Sequence, residues 1–146
     1  HMVVGNDGGV YSSRDRGLTF TPHRGLVISQ FYGVAVDART PYRVYGGLQD
    51  NGTWGGPSAT RFEDGVTPAD WKRLLAFDGF QAAVDPTDPD TVYGESQYGG
   101  LARVSLRGKA PVVKPIRPPA PKGGPAPRYN WNAPILLSPH DPKTLY

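Results

Sequence analysis

Short apolar runs, each closed by a cluster of Pro, Asp and Gly, recur along this chain. Three segments align without gaps over twelve residues: Val34-Ala-Val-Asp-Ala-Arg-Thr-Pro-Tyr-Arg-Val-Tyr45, Ala82-Ala-Val-Asp-Pro-Thr-Asp-Pro-Asp-Thr-Val-Tyr93 and Ile135-Leu-Leu-Ser-Pro-His-Asp-Pro-Lys-Thr-Leu-Tyr146. Each reads as an apolar strand, a Pro/Asp turn and the start of a second strand ending on Tyr. An apolar run this short, bounded by turn residues, suits a strand covered on both faces. Five residues beyond the internal tyrosines stand Asp50-Asn51-Gly52 and Tyr98-Gly99-Gly100. The matching Asp7-Gly8-Gly9 puts Met2 at the place of the repeated Tyr.

Met2, Tyr45, Tyr93 and Tyr146 lie 43, 48 and 53 residues apart. Spacings near 40–50 residues belong to four-stranded β-propeller blades. The fold expected is therefore all-β, with three four-stranded antiparallel repeats at about 2–44, 45–92 and 93–146. With strands lettered A to D from the ring axis outward, A falls at 34–37, 82–85 and 135–138. B falls at 2–5, 43–48 and 91–95, with its beginning at 144–146. C falls at 9–13, 53–55 and 101–105, and D at 19–22, 71–75 and 112–117. The chain thus runs B-C-D, A-B-C-D, A-B-C-D, A. Its two ends are complementary, and three blades are fewer than the four to eight of an ordinary ring. The expectation is a piece of a larger ring, or a ring closed by oligomerisation. Two copies, giving six blades, are favoured, each junction pairing strand 135–138 of one chain with strand 2–5 of the other.

Composition agrees with many short strands and tight turns: Gly 19, Pro 16, 20% charged and 11% aromatic residues. With no cysteine, disulfides and thiolate chemistry are excluded and the redox compartment stays open. No run of 18 apolar residues exists, so no membrane partner is expected; no signal peptide is present, but His1-Met2 reads as a cloning scar, so the absence of a leader says little. The net charge of +3 dissolves when mapped. Lys109, Lys114, Arg117, Lys122 and Arg128 sit in or beside a proline-rich stretch, 111–127, read as an exposed polyproline-like insertion. Its Pro115-Ile-Arg-Pro118 fits a PxxP pattern, which alone is a weak signal. Basic residues in such a loop make no nucleic-acid surface.

Ser13-Arg-Asp15-Arg-Gly17-Leu-Thr19-Phe20 fits S-x-D-x-G-x-T-[W/F]. The segment resembles the Asp-box (BNR) motif of sialidases, sortilin-type (Vps10) domains and several bacterial glycoside hydrolases. Its residues suit a C–D hairpin turn: Asp15 to accept backbone N–H groups, Gly17 to take positive φ, and Phe20 to pack beneath. In that family the box is structural and lies away from the ligand face, so Asp15 is read as a turn acid. The second and third repeats lack the box. The stretches 5–11, 31–37, 42–52 and 129–134 resemble large bacterial sortilin-like proteins often labelled glycosyl hydrolase, BNR repeat. The resemblance implies a propeller and an extracytoplasmic or secreted setting, and says little about activity.

In such a fold the B–C and D–A connections open on one face. That face would collect Gln49, Asp50 and Asn51, then Tyr32, Phe80, Trp131 and Asn132, with Asn6, Asp7, Gln30, Phe31, Gln97, Tyr98 and Asn130 around them. Amides beside aromatic rings suit peptide, protein or glycan recognition, and equally suit turns and gaps between blades. A glycoside hydrolase, the alternative reading, needs two carboxylates roughly 5–10 Å apart, and Asp50, Asp78 and Glu95 are the candidates. His23 and His140 lie in turns, and Asp85, Asp88, Asp90 and Asp141 read as turn acids without a calcium-loop spacing. No metal and no cofactor is expected.

Overall fold

The computed structural model describes residues 1–6, 9–23 and 29–146. Asp7 lies outside them. The described residues form eleven strands in three antiparallel sheets. The first sheet holds β1 (Met2–Asn6), β2 (Gly9–Ser13) and β3 (Thr21–Pro22). The second holds β4 (Gly33–Val36), β5 (Arg43–Leu48), β6 (Gly52–Pro57) and β7 (Lys72–Leu75). The third holds β8 (Ala82–Val84), β9 (Thr91–Ser96), β10 (Gly100–Ser105) and β11 (Val112–Pro115). Neighbours in each sheet are neighbours in sequence, which gives blade-like meanders in the expected strand order. Among the described residues no helix is long and apolar enough to cross a membrane.

The repeat shows in the register. Ala35 faces Tyr45 and Ala83 faces Tyr93, so the aligned twelve-residue segments take the same hairpin. At the far end Leu136 and Tyr146 exchange two backbone hydrogen bonds of 2.8 Å, and Ser138 N–H donates to the Thr144 carbonyl. Here the expected strand 135–138 shrinks to a single bridge, Leu137 with Leu145. Only three residues, 144–146, stand opposite it, too few to carry a longer ladder.

The turn between strands A and B is built by side-chain oxygens. The Asp37 carboxylate accepts the Arg43 N–H (2.8 Å), the Arg39 N–H and the Tyr45 hydroxyl (3.2 Å). Asp85 takes its place in the third sheet by accepting from Thr87, and Ser138 takes it at the end by accepting from the His140 and Asp141 N–H groups. One step on, Asp88 and Asp141 each accept the hydroxyl of the Thr three residues later, at 2.8 Å. The Asp/Pro clusters of the sequence are therefore turn builders.

The apolar core sits between the second and third sheets. Tyr45 and Leu74 pack against Val92 and Val104, with Leu75, Ala82, Val84 and Leu106 around them. Ala82 and Val84 turn back from β8 onto this core. Val34 and Val36 hold the same places in β4, but among the described residues the first sheet has no strand A to receive them. They are 62% and 56% exposed. The buried sequence pattern is thus realised only where a neighbouring sheet supplies the other half.

In the 13–20 turn, Ser13 donates to Asp15 (2.7 Å) and accepts the Gly17 N–H (2.8 Å). Asp15 accepts both the N–H (2.9 Å) and the hydroxyl (2.6 Å) of Thr19. Gly17 takes φ 92°, as expected, and Arg16 also lies in the left-handed region at 62°. One expectation is corrected: Thr19 is held in the turn by Asp15, so β3 begins at Thr21 rather than Thr19. The tip of the Phe20 ring lies 4.0 Å from where a Cβ would stand on Gly17, while the residue stays 44% exposed. The last strand is also shorter than expected, ending at Pro115, and 117–126 is exposed and irregular.

Hydrogen bonds hold three turn carboxyls below the usual range: Asp15 chiefly through the Thr19 hydroxyl, Asp88 through Arg107, Asp141 through the Lys143 N–H. For acids depressed in the folded state, the stabilisation is present above the ordinary value near 3.8 and is lost as pH falls below it. Acidification below about pH 4 should therefore lower the melting temperature. Asp15→Ala should lower it by a few degrees at neutral pH, shrink the acid-dependent part and leave ligand binding unchanged. Calorimetry across this range checks both; an Asp15→Ala chain that melts like the wild type refutes the assignment.

Candidate functional site

Each strand A starts beside the end of its strand B, so the loops before strand A and the B–C turns share one end of the sheets. Tyr32 precedes β4, Phe80 precedes β8, and Trp131 precedes the final bridge, while Tyr98 sits in the β9–β10 turn. The four rings form a continuous row. Tyr32 to Phe80 is 5.1 Å between centroids, Phe80 to Trp131 is 6.0 Å edge-on, and Trp131 to Tyr98 is 5.0 Å edge-on. Such tilted contacts set the negative face of one ring against the positive edge of the next.

Tyr32, Trp131 and Tyr98 are each about half exposed and so present ring surface to solvent. Phe80, expected among the ligand-contacting residues, is corrected: at 1% exposure it is the buried hub of the row. The loop that carries it lies flush on β5, where a Cβ at Gly47 would run into the backbone of Gly79 and Phe80. Tyr98 holds φ 56°, an uncommon backbone state for a bulky side chain, and its N–H donates to the Trp131 carbonyl at 3.2 Å. The sequence put these rings on one face; that three separate loops and a turn bring them into contact is a result of the tertiary structure.

At the Tyr32 end the row opens into a cleft of about 950 Å³ lined by Asn6, Ser29, Gln30, Gln49, Asp50 and Asn51, among others. The Tyr32 hydroxyl donates to Gln49 Oε1, and Asn51 Nδ2 donates to the Gln49 carbonyl at 3.0 Å. Asn132 is exposed beside Trp131. The structure thus gathers Gln49, Asp50, Asn51, Tyr32 and, farther along, Trp131 and Asn132 at one end of the sheets.

The three candidate carboxylates separate. Asp50 is exposed, with φ 60° at the tip of the β5–β6 turn. Asp78 is buried, and its Oδ1 accepts the Asp50 N–H at 2.7 Å, so it pins that turn to the loop before β8. Glu95 is also buried, accepting the Ala133 N–H on Oε1 at 3.3 Å. The expectation that all three line an open face is corrected, because two of them cap backbone N–H groups. Among the described residues no group of three or more His, Asp or Glu side chains is placed to hold a metal ion.

Comparison with protein-family models, with curated proteins and with solved structures gives no match.

A capping role for Asp78 has a distinct signature. Asp78→Ala leaves the Asp50 N–H without its acceptor and should cost about 1–3 kcal/mol in urea denaturation. Asp78→Asn keeps an oxygen acceptor and should recover most of that. Equal losses in the two variants would instead point to a need for the charge.

Proposed function

We propose that the chain is a segment of a β-propeller whose loop face binds a peptide, protein or glycan, with no chemistry performed on it. The observation that carries this reading is the row of half-exposed rings, Tyr32, Trp131 and Tyr98, set beside the amides of Gln49, Asn51 and Asn132. Rings supply broad apolar contact at little loss of side-chain freedom, and primary amides supply paired donors and acceptors. A hydrolase fragment is less well supported, since it needs two carboxylates facing a substrate, and only Asp50 of the three candidates faces solvent.

The test is retention of the labelled chain on an array of polysaccharides and unstructured peptides. Tyr32→Ala and Trp131→Ala should each weaken whatever interaction is found by roughly tenfold, about the worth of one aromatic contact. Release of reducing sugar, abolished by Asp50→Asn or Glu95→Gln with retention kept, would establish the hydrolase instead.

The same reading extends to assembly. Val34 and Val36 face the side where the first sheet lacks a strand A, and β1 pairs with β2 alone among the described strands. Leu136 repeats Ala35 and Ala83, faces the opposite way, and is exposed together with Tyr146. We propose that a second copy closes both ends, Leu136 of each copy packing on Val34 and Val36 of the other, as Ala35 meets β8 within the chain. Two copies make six blades. The backbone edge at Leu136 and Ser138 is already taken by Tyr146 and Thr144, so β1 of the other copy would extend that short strand rather than pair along all of 135–138. Light scattering should give twice the chain mass, and Leu136→Asp or removal of 135–146 should halve it. A monodisperse wild-type monomer with a cooperative melt would end this proposal.

A further inference from the structure

The angles within the row of rings narrow what it can hold. Tyr98 and Trp131 meet at 88° with both rings about half exposed, so they make a corner rather than a flat platform. A sugar ring stacks on one flat aromatic face, whereas a pyrrolidine ring fills a corner between two. Tyr32, the next exposed ring, lies beyond the buried Phe80. Its centroid is 5.1 Å from that of Phe80 and the Trp131 centroid is 6.0 Å from it, so Tyr32 and Trp131 stand no more than about 11 Å apart. A polyproline-II strand repeats every three residues, a rise of about 9 Å. Two prolines three residues apart therefore span the corner and Tyr32.

Among the described residues, Asp50 is the one charged side chain lining the cleft and the row, and it is exposed. The stretch 115–122 of this chain carries the complementary features. Pro115, Pro118 and Pro121 recur every three residues, and Lys122 follows directly. Among the described residues neither Asp50 nor Lys122 is in an ion pair. Both feet of the stretch are pinned. The Ile116 N–H donates to the Leu101 carbonyl at 3.0 Å, and Arg117 lies 4.8 Å over the Tyr129 ring with Nη2 at 3.4 Å from the Pro127 carbonyl. Between these anchors 117–126 is an exposed finger, its tip closed by the Gly124 N–H on the Pro121 carbonyl at 3.0 Å. Such pre-ordering lowers the cost of docking. The Tyr129 ring rests against Gly99, next to Tyr98, so the finger is rooted at the end of its own row. It nevertheless leaves those rings half exposed, and the occupant must come from elsewhere.

We propose that the aromatic row is the docking site for the proline-rich finger of a second copy of this chain. Pro118 fills the Tyr98–Trp131 corner, Pro121 lies on Tyr32, and Lys122 meets Asp50 in the cleft at the Tyr32 end. An extended proline strand leaves its carbonyls without internal partners, and the Trp131 indole N–H and the Asn132 amide supply donors to them. The contact uses none of Leu136, Val34 and Val36, so it is separable from ring closure. A finger meets a row rather than another finger, so the contact passes from copy to copy and grows with concentration. This docking rests on the binding-face reading and names the partner of that face.

The probe is a synthetic peptide of residues 111–127, titrated into a chain carrying Pro118→Ala and Pro121→Ala, whose own finger no longer competes. Both positions are exposed, so the fold is kept. Nuclear magnetic resonance follows the Trp131 indole N–H, assigned by its loss in Trp131→Phe. The peptide should shift that signal saturably, and a peptide with the same two alanines should bind roughly tenfold more weakly. Lys122→Ala in the peptide and Asp50→Asn in the chain should each weaken binding several-fold, with little further loss when combined. In light scattering the wild-type mass should rise with concentration, while the Pro118→Ala, Pro121→Ala chain holds one value. An unmoved indole, equal binding by the alanine peptide, or equal masses of the two chains at every concentration each overturn the proposal. A soluble glucan oligosaccharide or a proline-free peptide that shifts the indole where the proline peptide does not would overturn it and leave the binding face standing. Silence toward every probe, with no retention on the arrays above, would remove both.

Discussion

The rest of the molecule depends on the buried carboxylate of Asp37. It closes the turn between strands A and B through the Arg43 N–H, anchors the hydroxyl of the core residue Tyr45, and pairs with Arg39 at 3.2 Å. Arg39 in turn reaches Asp90 of the next sheet at 2.7 Å. One acid thus links a turn, the apolar core and the neighbouring sheet. An ionised group with no exposure is tolerable only with such a full set of donors. Burial, and then the Asp37 charge, raise the pKa of the Tyr45 hydroxyl, keeping it a neutral donor to that carboxylate.

The sheets themselves show how far a repeated sequence depends on its neighbours. Tyr45, Tyr93 and Tyr146 are one position in the repeat, yet Tyr45 is buried, Tyr93 partly so and Tyr146 exposed. Tyr45 packs against Val92 and Val104 of the third sheet, and among the described residues no further sheet stands beyond the third. Hydrophobic burial is proportional to surface removed from water, so an identical residue contributes differently at each step along the array.

The loop end is where the repeats diverge. Gly47 and Glu95 share a backbone role, and Asp50 and Tyr98 share a left-handed place in their turns, but their side chains differ in every respect. Strand positions are constrained by packing on two sides, whereas turn tips are constrained mainly in φ and ψ. Variation concentrated on such tips is how a rigid scaffold acquires a particular surface.

The sequence by itself determined the all-β architecture, the number of sheets and the strand order. These follow from short-range patterns: apolar runs, Pro/Asp turns and a recurring Tyr, whose meaning is local to about ten residues. It also marked Asp15, Asp85, Asp88 and Asp141 as turn acids, since each acts on backbone or side chains within four residues. Only the tertiary structure decided that Phe80 is buried, that Asp78 and Glu95 serve backbone N–H groups and that four rings form one row. Each of these depends on contacts between residues 28 to 51 apart in sequence. The physical reason is that a turn carries its own donors and acceptors in its sequence, while a buried side chain is defined by whatever the rest of the chain brings against it.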